Sequence, residues 1–215
     1  MTKAKSTTEQ LANLPLERRW RRQRSPSPAV VALIERTNTL ESDQESAPRF
    51  LLIQRAAEPY DGRWALVGGK WEFGETLQEA IIREVKEETG LEATFIAARG
   101  LVSERVLPTS PTAAGAHYLL FVCELSADRG IAAEQGEGPL AWFTRAEIEQ
   151  LHAAQAIIPT DYAMINSFAR APEALPHVEA EMCAAVNQSS AAPIQMLRYE
   201  HIDGHQYSDD SETAA

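Results

Sequence analysis

Cysteine is scarce in this chain: Cys123 and Cys183 are the two it has in 215 residues, and their spacing is not that of a metal site. A disulfide framework is not supported, and reduced thiols in a cytoplasmic protein are expected. No apolar segment of signal-peptide type opens the chain, and no run is long enough to span a bilayer, so no membrane partner is expected. Positive charge is short as well. Twenty Lys and Arg stand against 31 Asp and Glu, a net charge of −11. That balance argues against general nucleic-acid binding, because a polyphosphate backbone needs a basic surface. An acidic protein still binds phosphates when metal ions supply the positive charge. No internal repeat is visible. What is present is 44% apolar content, enough for one ordinary globular domain with tails.

Residues 1–27 read as a flexible basic arm, in which Arg18, Arg19, Arg21, Arg22 and Arg24 surround Trp20. Such a cluster serves nucleic acid, an acidic partner or a substrate phosphate; its structural alternative is a frayed helix or disordered extension. Ser25-Pro26-Ser27-Pro28 reads as the join to a domain over residues 28–172. The apolar run Ala29–Ile34 predicts a buried strand, followed by a second over Arg49–Arg55. Trp64–Val67 leads into Gly68 and Gly69. Ala93–Val106 predicts a long strand or a bent pair around Gly100, and His117–Leu125 another buried strand. A short strand at 141–143 precedes a helix opened by Thr144 and Glu147, and Asp161–Arg170 predicts a last helix, with Thr160 or Asp161 as its N-cap. Residues 173–215, rich in Ala, Ser and acids, predict a disordered acidic tail.

The chemistry-bearing stretch is LVGGKWEFGETLQEAIIREVKEETGL, residues 66–91. Thr76 and Glu79 form a capping box, so a helix begins at about Leu77 and closes at Gly90, where a left-handed cap is wanted. Leu77, Ala80, Ile81 and Val85 make its buried stripe. Glu84, Glu87 and Glu88 share a neighbourhood off that stripe. Like charges at this spacing repel unless a cation sits among them. Arg83 neutralises one carboxylate, Glu87 or Glu75. Clustered hard oxygens suit Mg2+ or Mn2+. The alternative is an acidic solvated helix face.

Gly69, Glu75, Arg83-Glu84-Val85, Glu87-Glu88 and Gly90-Leu91, spaced over 23 residues, resemble the Nudix box with every defined position filled. The looser likeness runs from about Ala29 to about Phe168. The pattern alone gives α/β; the resemblance implies a Nudix-type α/β/α sandwich with a mixed β-sheet. It also implies a hydrolase that cleaves the phosphoanhydride bond of a nucleoside diphosphate linked to another group. Glu84, Glu88 and then Glu87 would hold Mg2+ or Mn2+, with the Gly68 carbonyl as a further ligand. Arg83 would orient a carboxylate, while Gly69, Glu75 and Gly90 shape the motif. A further acid before the Trp-Phe strand, Glu137 ahead of Glu134, would act as metal ligand or general base. Lys70 would reach a substrate phosphate and Asp161 a purine edge; surface lysine and helix N-cap are their structural alternatives. Trp64, Tyr118, Phe121 and Trp142 are the aromatics available to stack on a base. Pro108, 17 residues beyond the box, is close to but off the spacing associated with ADP-ribose hydrolases. A MutT-type (d)NTP pyrophosphohydrolase, supported by Gly68-Gly69-Lys70, is the enzymatic alternative, and a non-catalytic nucleotide sensor the other class. A small-molecule nucleotide is the expected partner, and a monomer or homodimer the expected assembly.

Overall fold

The computed structural model describes residues 16–36, 47–58, 60–108, 114–127, 138–169, 173–183 and 195–201. A short helix α1 (Leu16–Arg22) precedes strands β1 (Ser27–Arg36), β2 (Arg49–Gln54) and β3 (Trp64–Lys70). Helix α2 (Leu77–Thr89) follows, then β4 (Ala93–Val106), β5 (Ala116–Ala127) and β6 (Leu140–Thr144). Helices α3 (Arg145–Ala153) and α4 (Pro159–Phe168) come next, and β7 (Val178–Cys183) and β8 (Gln195–His201) close the series. Six strands form one sheet in the order β4-β5-β1-β3-β2-β6. The β1–β5 pairing is parallel and the others antiparallel, so the sheet is mixed.

The continuous apolar run of β1 follows from its being covered on both faces. Val30, Ala32 and Ile34 join Leu77, Ala80, Ile81 and Val85 of α2 in one core. Leu33, with Val31 beside it, joins Ile148 of α3 and Met164 and Ile165 of α4 in the other. Two helical layers therefore enclose the sheet, the sandwich that the resemblance implied. Leu77, Ile81 and Val85, the larger side chains of the α2 stripe, each contribute about 1.5–3 kcal/mol. The capping box on α2 is complete: Thr76 accepts from the Glu79 amide, and Glu79 accepts from the Thr76 amide. Gly90 closes the helix at φ 71°, its N–H donating to the Lys86 carbonyl.

Several boundaries differ from the sequence reading. β4 is a single strand, and it meets β5 with irregularities between Phe95 and Ala97 and between Ala98 and Gly100. Gly100 is there because a Cβ at that point would lie 2.3 Å from the Phe168 ring. α4 begins earlier than Asp161: Ile158 is its N-cap and Pro159 its first residue. Proline suits that position because its missing N–H is not needed there.

The described parts of the two terminal segments make contacts with the domain. His117 N–H donates to Gln23 Oε1 at 2.9 Å and Gln23 Nε2 donates to the His117 carbonyl, while Trp20 Nε1 donates to the Tyr118 hydroxyl at 3.0 Å. These contacts pin α1 to the start of β5. In the C-terminal segment, β7 and β8 pair antiparallel. Glu179 of β7 accepts from the Leu77 amide at 3.1 Å, at the entrance of α2.

Candidate active site

β3 delivers Gly68 and Gly69 to the flank of α2, and the close approach depends on glycine. At Gly68 φ is 151°, and a Cβ would lie 2.1 Å from the Val30 carbonyl oxygen. A Cβ on Gly69 would lie 2.5–2.7 Å from the carboxyl atoms of Glu84. The helix can therefore press its acids onto bare backbone. Glu88, one turn on, is buried and accepts from the Gly68 amide at 3.0 Å.

Arg83 is the hub. Its Nε and Nη2 reach both oxygens of Glu75, at 2.6 and 3.0 Å. Its Nη1 reaches Glu84 at 2.8 Å and Glu87 at 3.1 Å, and Nη2 also donates to the Lys70 carbonyl at 3.0 Å. The bidentate grip holds the Glu75 carboxyl below the usual carboxylate range, helped by the Glu72 amide. The same carboxylates raise the Arg83 guanidinium pKa further. Arg83 thus locks the β3–α2 loop to the helix while steadying Glu84.

Arg83 reaches three of the acids here, Glu75, Glu84 and Glu87, while Glu88 is held by the Gly68 amide. Glu84 keeps 13% of its side chain exposed and Glu88 is almost covered, whereas Glu87 is 61% exposed. Among the described residues, no three Asp, Glu, His or Cys side chains gather closely enough to hold an ion. The three glutamates do not form a ready cage. The donor set nevertheless fits a hard divalent cation: two poorly hydrated carboxylates one helical turn apart, against glycine backbone that no side chain shields.

The outlying candidates divide. Lys70 is exposed at the end of β3, beside this group. Asp161 is buried, and its Oδ1 accepts from the Leu66 amide at 2.7 Å. The β1–β3 register runs no further than Ala32 opposite Val67, so this carboxylate satisfies an amide that β1 does not. Burial pushes Asp161 up to about 7, with the Leu66 hydrogen bond opposing and the Glu104 charge adding. Glu137 and Glu134 lie outside the described residues. Gly138, next to Glu137, packs against the Gln54 carbonyl, where a Cβ would lie 1.9 Å away.

The model of the NUDIX domain matches residues 26–162. The chain belongs to the Nudix family of hydrolases. Over 66 residues it is 46% identical to an ADP-ribose pyrophosphatase of Methanocaldococcus jannaschii, covering 31% of this chain and 33% of that one. The chain thus aligns with about a third of that relative. It is 32% identical over 115 residues to the nucleoside triphosphatase NudI of an Enterobacter species, covering 50% of this chain and 81% of that one. The crystal structure of a MutT NUDIX hydrolase from Burkholderia pseudomallei superposes with a TM-score of 0.52 at 22% identity, covering 66% of this chain and 98% of that chain. This last likeness concerns the fold.

Within the Nudix frame, three of the four aromatics offered as base platforms have structural partners at their rings. Trp64 meets Phe143 edge-on at 4.7 Å, Phe121 meets Trp71 at 5.1 Å, and Trp142 lies under the Arg36 guanidinium at 4.0 Å. Tyr118, whose hydroxyl accepts from Trp20, also lines an open cleft with Trp20, Trp71 and Lys70. Sequence reasoning missed Trp71, Tyr60 and Glu104. The last two bear electrostatically on Asp161, with desolvation the main cause of the raised Tyr60 pKa. Nothing in their spacing joins them; only the tertiary fold does. The buried Cys123 thiol, pushed up to about 12 by burial, is an inert core residue.

Proposed function

We propose that this Nudix protein hydrolyses the phosphoanhydride bond of a nucleoside diphosphate linked to another group, an ADP-ribose-like compound, in the cytoplasm and with Mg2+ or Mn2+. The observation that carries the reading is the seating of Glu84 and Glu88 on the Gly68–Gly69 backbone, with Arg83 bridging Glu84 to Glu75. Glu84 and Glu88 would hold the metal, with Glu87 and the Gly68 carbonyl completing the set. When bound, the ion neutralises phosphate oxygens, lowers the pKa of attacking water and steadies the leaving group. The chain's own contribution is positional. Arg83 keeps Glu84 from swinging out, the Glu75–Arg83 lock holds the loop, and Lys70 supplies a positive charge for phosphate at the end of β3. Glu137 is proposed to take the proton from the attacking water, ahead of Glu134.

The second reading, a (d)NTP pyrophosphohydrolase, is favoured by the nucleoside triphosphatase relative, 81% of whose length aligns with this chain. Purified protein assayed with Mg2+ against ADP-ribose, NADH, dinucleoside polyphosphates and the (d)NTPs separates them. ADP-ribose would give AMP and ribose 5-phosphate, and a triphosphate would give the monophosphate and pyrophosphate. Glu84→Gln and Glu88→Gln should each lose at least about a hundredfold in kcat, and Glu137→Gln about tenfold or more. Full turnover in EDTA, or in both helix variants, would refute the metal assignment. Uptake of a nucleotide without turnover of any of these compounds would favour a sensor.

A further inference from the structure

The N-terminal helix builds a cleft of about 320 Å³ against the end of β3, walled by Trp20, Trp71 and Tyr118 with Arg19, Arg22 and Lys70 among its lining. Arg19, Trp20 and Arg22 precede residue 26, where the Nudix match begins, so this wall is an addition to the family domain. The contacts that join the arm to β5 come from Gln23 and Trp20, not from Arg19 or Arg22. Gln23 is committed on both sides to the His117 backbone, and Trp20 Nε1 to the Tyr118 hydroxyl. Arg19 Nε is shielded from solvent and has no hydrogen-bond partner among the described residues. A cationic donor in that state is costly unless an anion reaches it. The cleft also lies beside the proposed chemistry: Lys70, which lines it, directly follows the Gly69 that touches Glu84.

We infer that this cleft is the nucleoside subsite of the hydrolase, taking an aromatic base on its rings and an attached phosphate on Arg19, Arg22 and Lys70. The inference rests on the hydrolase reading for what the neighbouring glutamates do. The cleft's chemistry matches both halves of a nucleotide. A phosphate alone would leave two indoles and a phenol unused, and a neutral aromatic would leave the Arg19 donor unmet. Base faces stack on indole rings whatever the base, and guanidinium forks match phosphate oxygens. Because Gln23 and the Trp20 N–H are already committed, the cleft selects for a planar base bearing an anion more than for one base over another.

The test is binding of AMP to the full chain in EDTA, by calorimetry, with adenosine and ribose 5-phosphate as the separated halves. AMP should bind about tenfold or more tighter than either half. The double variant Arg19→Gln/Arg22→Gln should bring AMP to the level of adenosine. Trp20→Ala should bring it to the level of ribose 5-phosphate, and Trp20→Phe should retain most of the affinity. Circular dichroism melts would show each variant folded, and the arginine pair guards against Trp20→Ala simply releasing the arm. Equal binding of AMP and ribose 5-phosphate, or native affinity in both the arginine and Ala variants, would overturn the inference, as would no AMP binding at millimolar concentration. Glu84→Gln separates the two readings. It should abolish turnover and leave AMP binding unchanged. Native-rate turnover by this variant would sink the role given to Glu84 alone, and AMP binding by a native chain that turns over none of the assayed compounds would sink the hydrolase reading alone.

Discussion

Replacing Asp161 by Asn should remove a pH dependence of stability that the native protein carries between pH 5 and 8. Asp161 is buried, and its carboxyl sits at about 7 against an ordinary 3.8, chiefly through desolvation. A folded pKa above the unfolded one means the native state holds the proton more tightly. Stability from this group is therefore fully present below pH 3.8 and is lost as pH rises through 7. At about 1.4 kcal/mol per pH unit, levelling off near the folded pKa, the loss between pH 5 and 8 is roughly 2–3 kcal/mol. Asparagine keeps an oxygen for the Leu66 amide and cannot ionise, so its curve should be flatter by that amount. Urea unfolding of both proteins at pH 5, 6, 7 and 8 measures the difference directly, and other titrating groups cancel between them. Parallel stability curves for native and variant would refute the reasoning. So would a native protein that gains on the variant as pH rises.

Gly69→Ala should cost turnover more than stability. Its Cβ would meet the Glu84 carboxylate, 2.5 Å away, rather than backbone. We expect a melting temperature within a few degrees of native with at least about a tenfold loss of kcat and a weaker response to Mg2+; native kinetics would contradict the placement of Glu84. Gly100→Ala should do the reverse, since its Cβ would enter the Phe168 ring at 2.3 Å. A loss of about 1–3 kcal/mol in urea unfolding is expected, with kcat nearly unchanged. Truncating the opposing ring in a Gly100→Ala/Phe168→Leu double variant should recover part of it, and strict additivity of the two changes would argue against the contact.

The α2 region was legible because its instructions are local. The Thr76–Glu79 box, the Gly90 cap and the apolar stripe all act within one helix. Arg83 and Glu75 are eight residues apart and meet through the same loop-and-helix geometry. The strands were legible from apolar runs, although β1 extends to Ser27 and Arg36, beyond its most hydrophobic stretch. Pairing partners supply those extra residues with hydrogen bonds, and propensity does not register that. The start of α4 was misplaced for a similar reason. Asp161 reads locally as a cap, but its carboxylate satisfies an amide 95 residues away in β3.

By itself, then, the amino-acid order determined which family this is, where its acidic helix begins and ends, and which carboxylates crowd one face of it. Those properties depend on neighbours within a turn or two of chain. Tertiary structure alone decided that Glu84 and Glu88 rest on bare glycine backbone, that Asp161 is a buried strut, and that an arginine-rich arm closes over Tyr118 and Trp71. Each of these joins residues from separate strands and helices. Their meeting depends on sheet order and on which atoms lose water when the layers close, and no spacing along the chain encodes either.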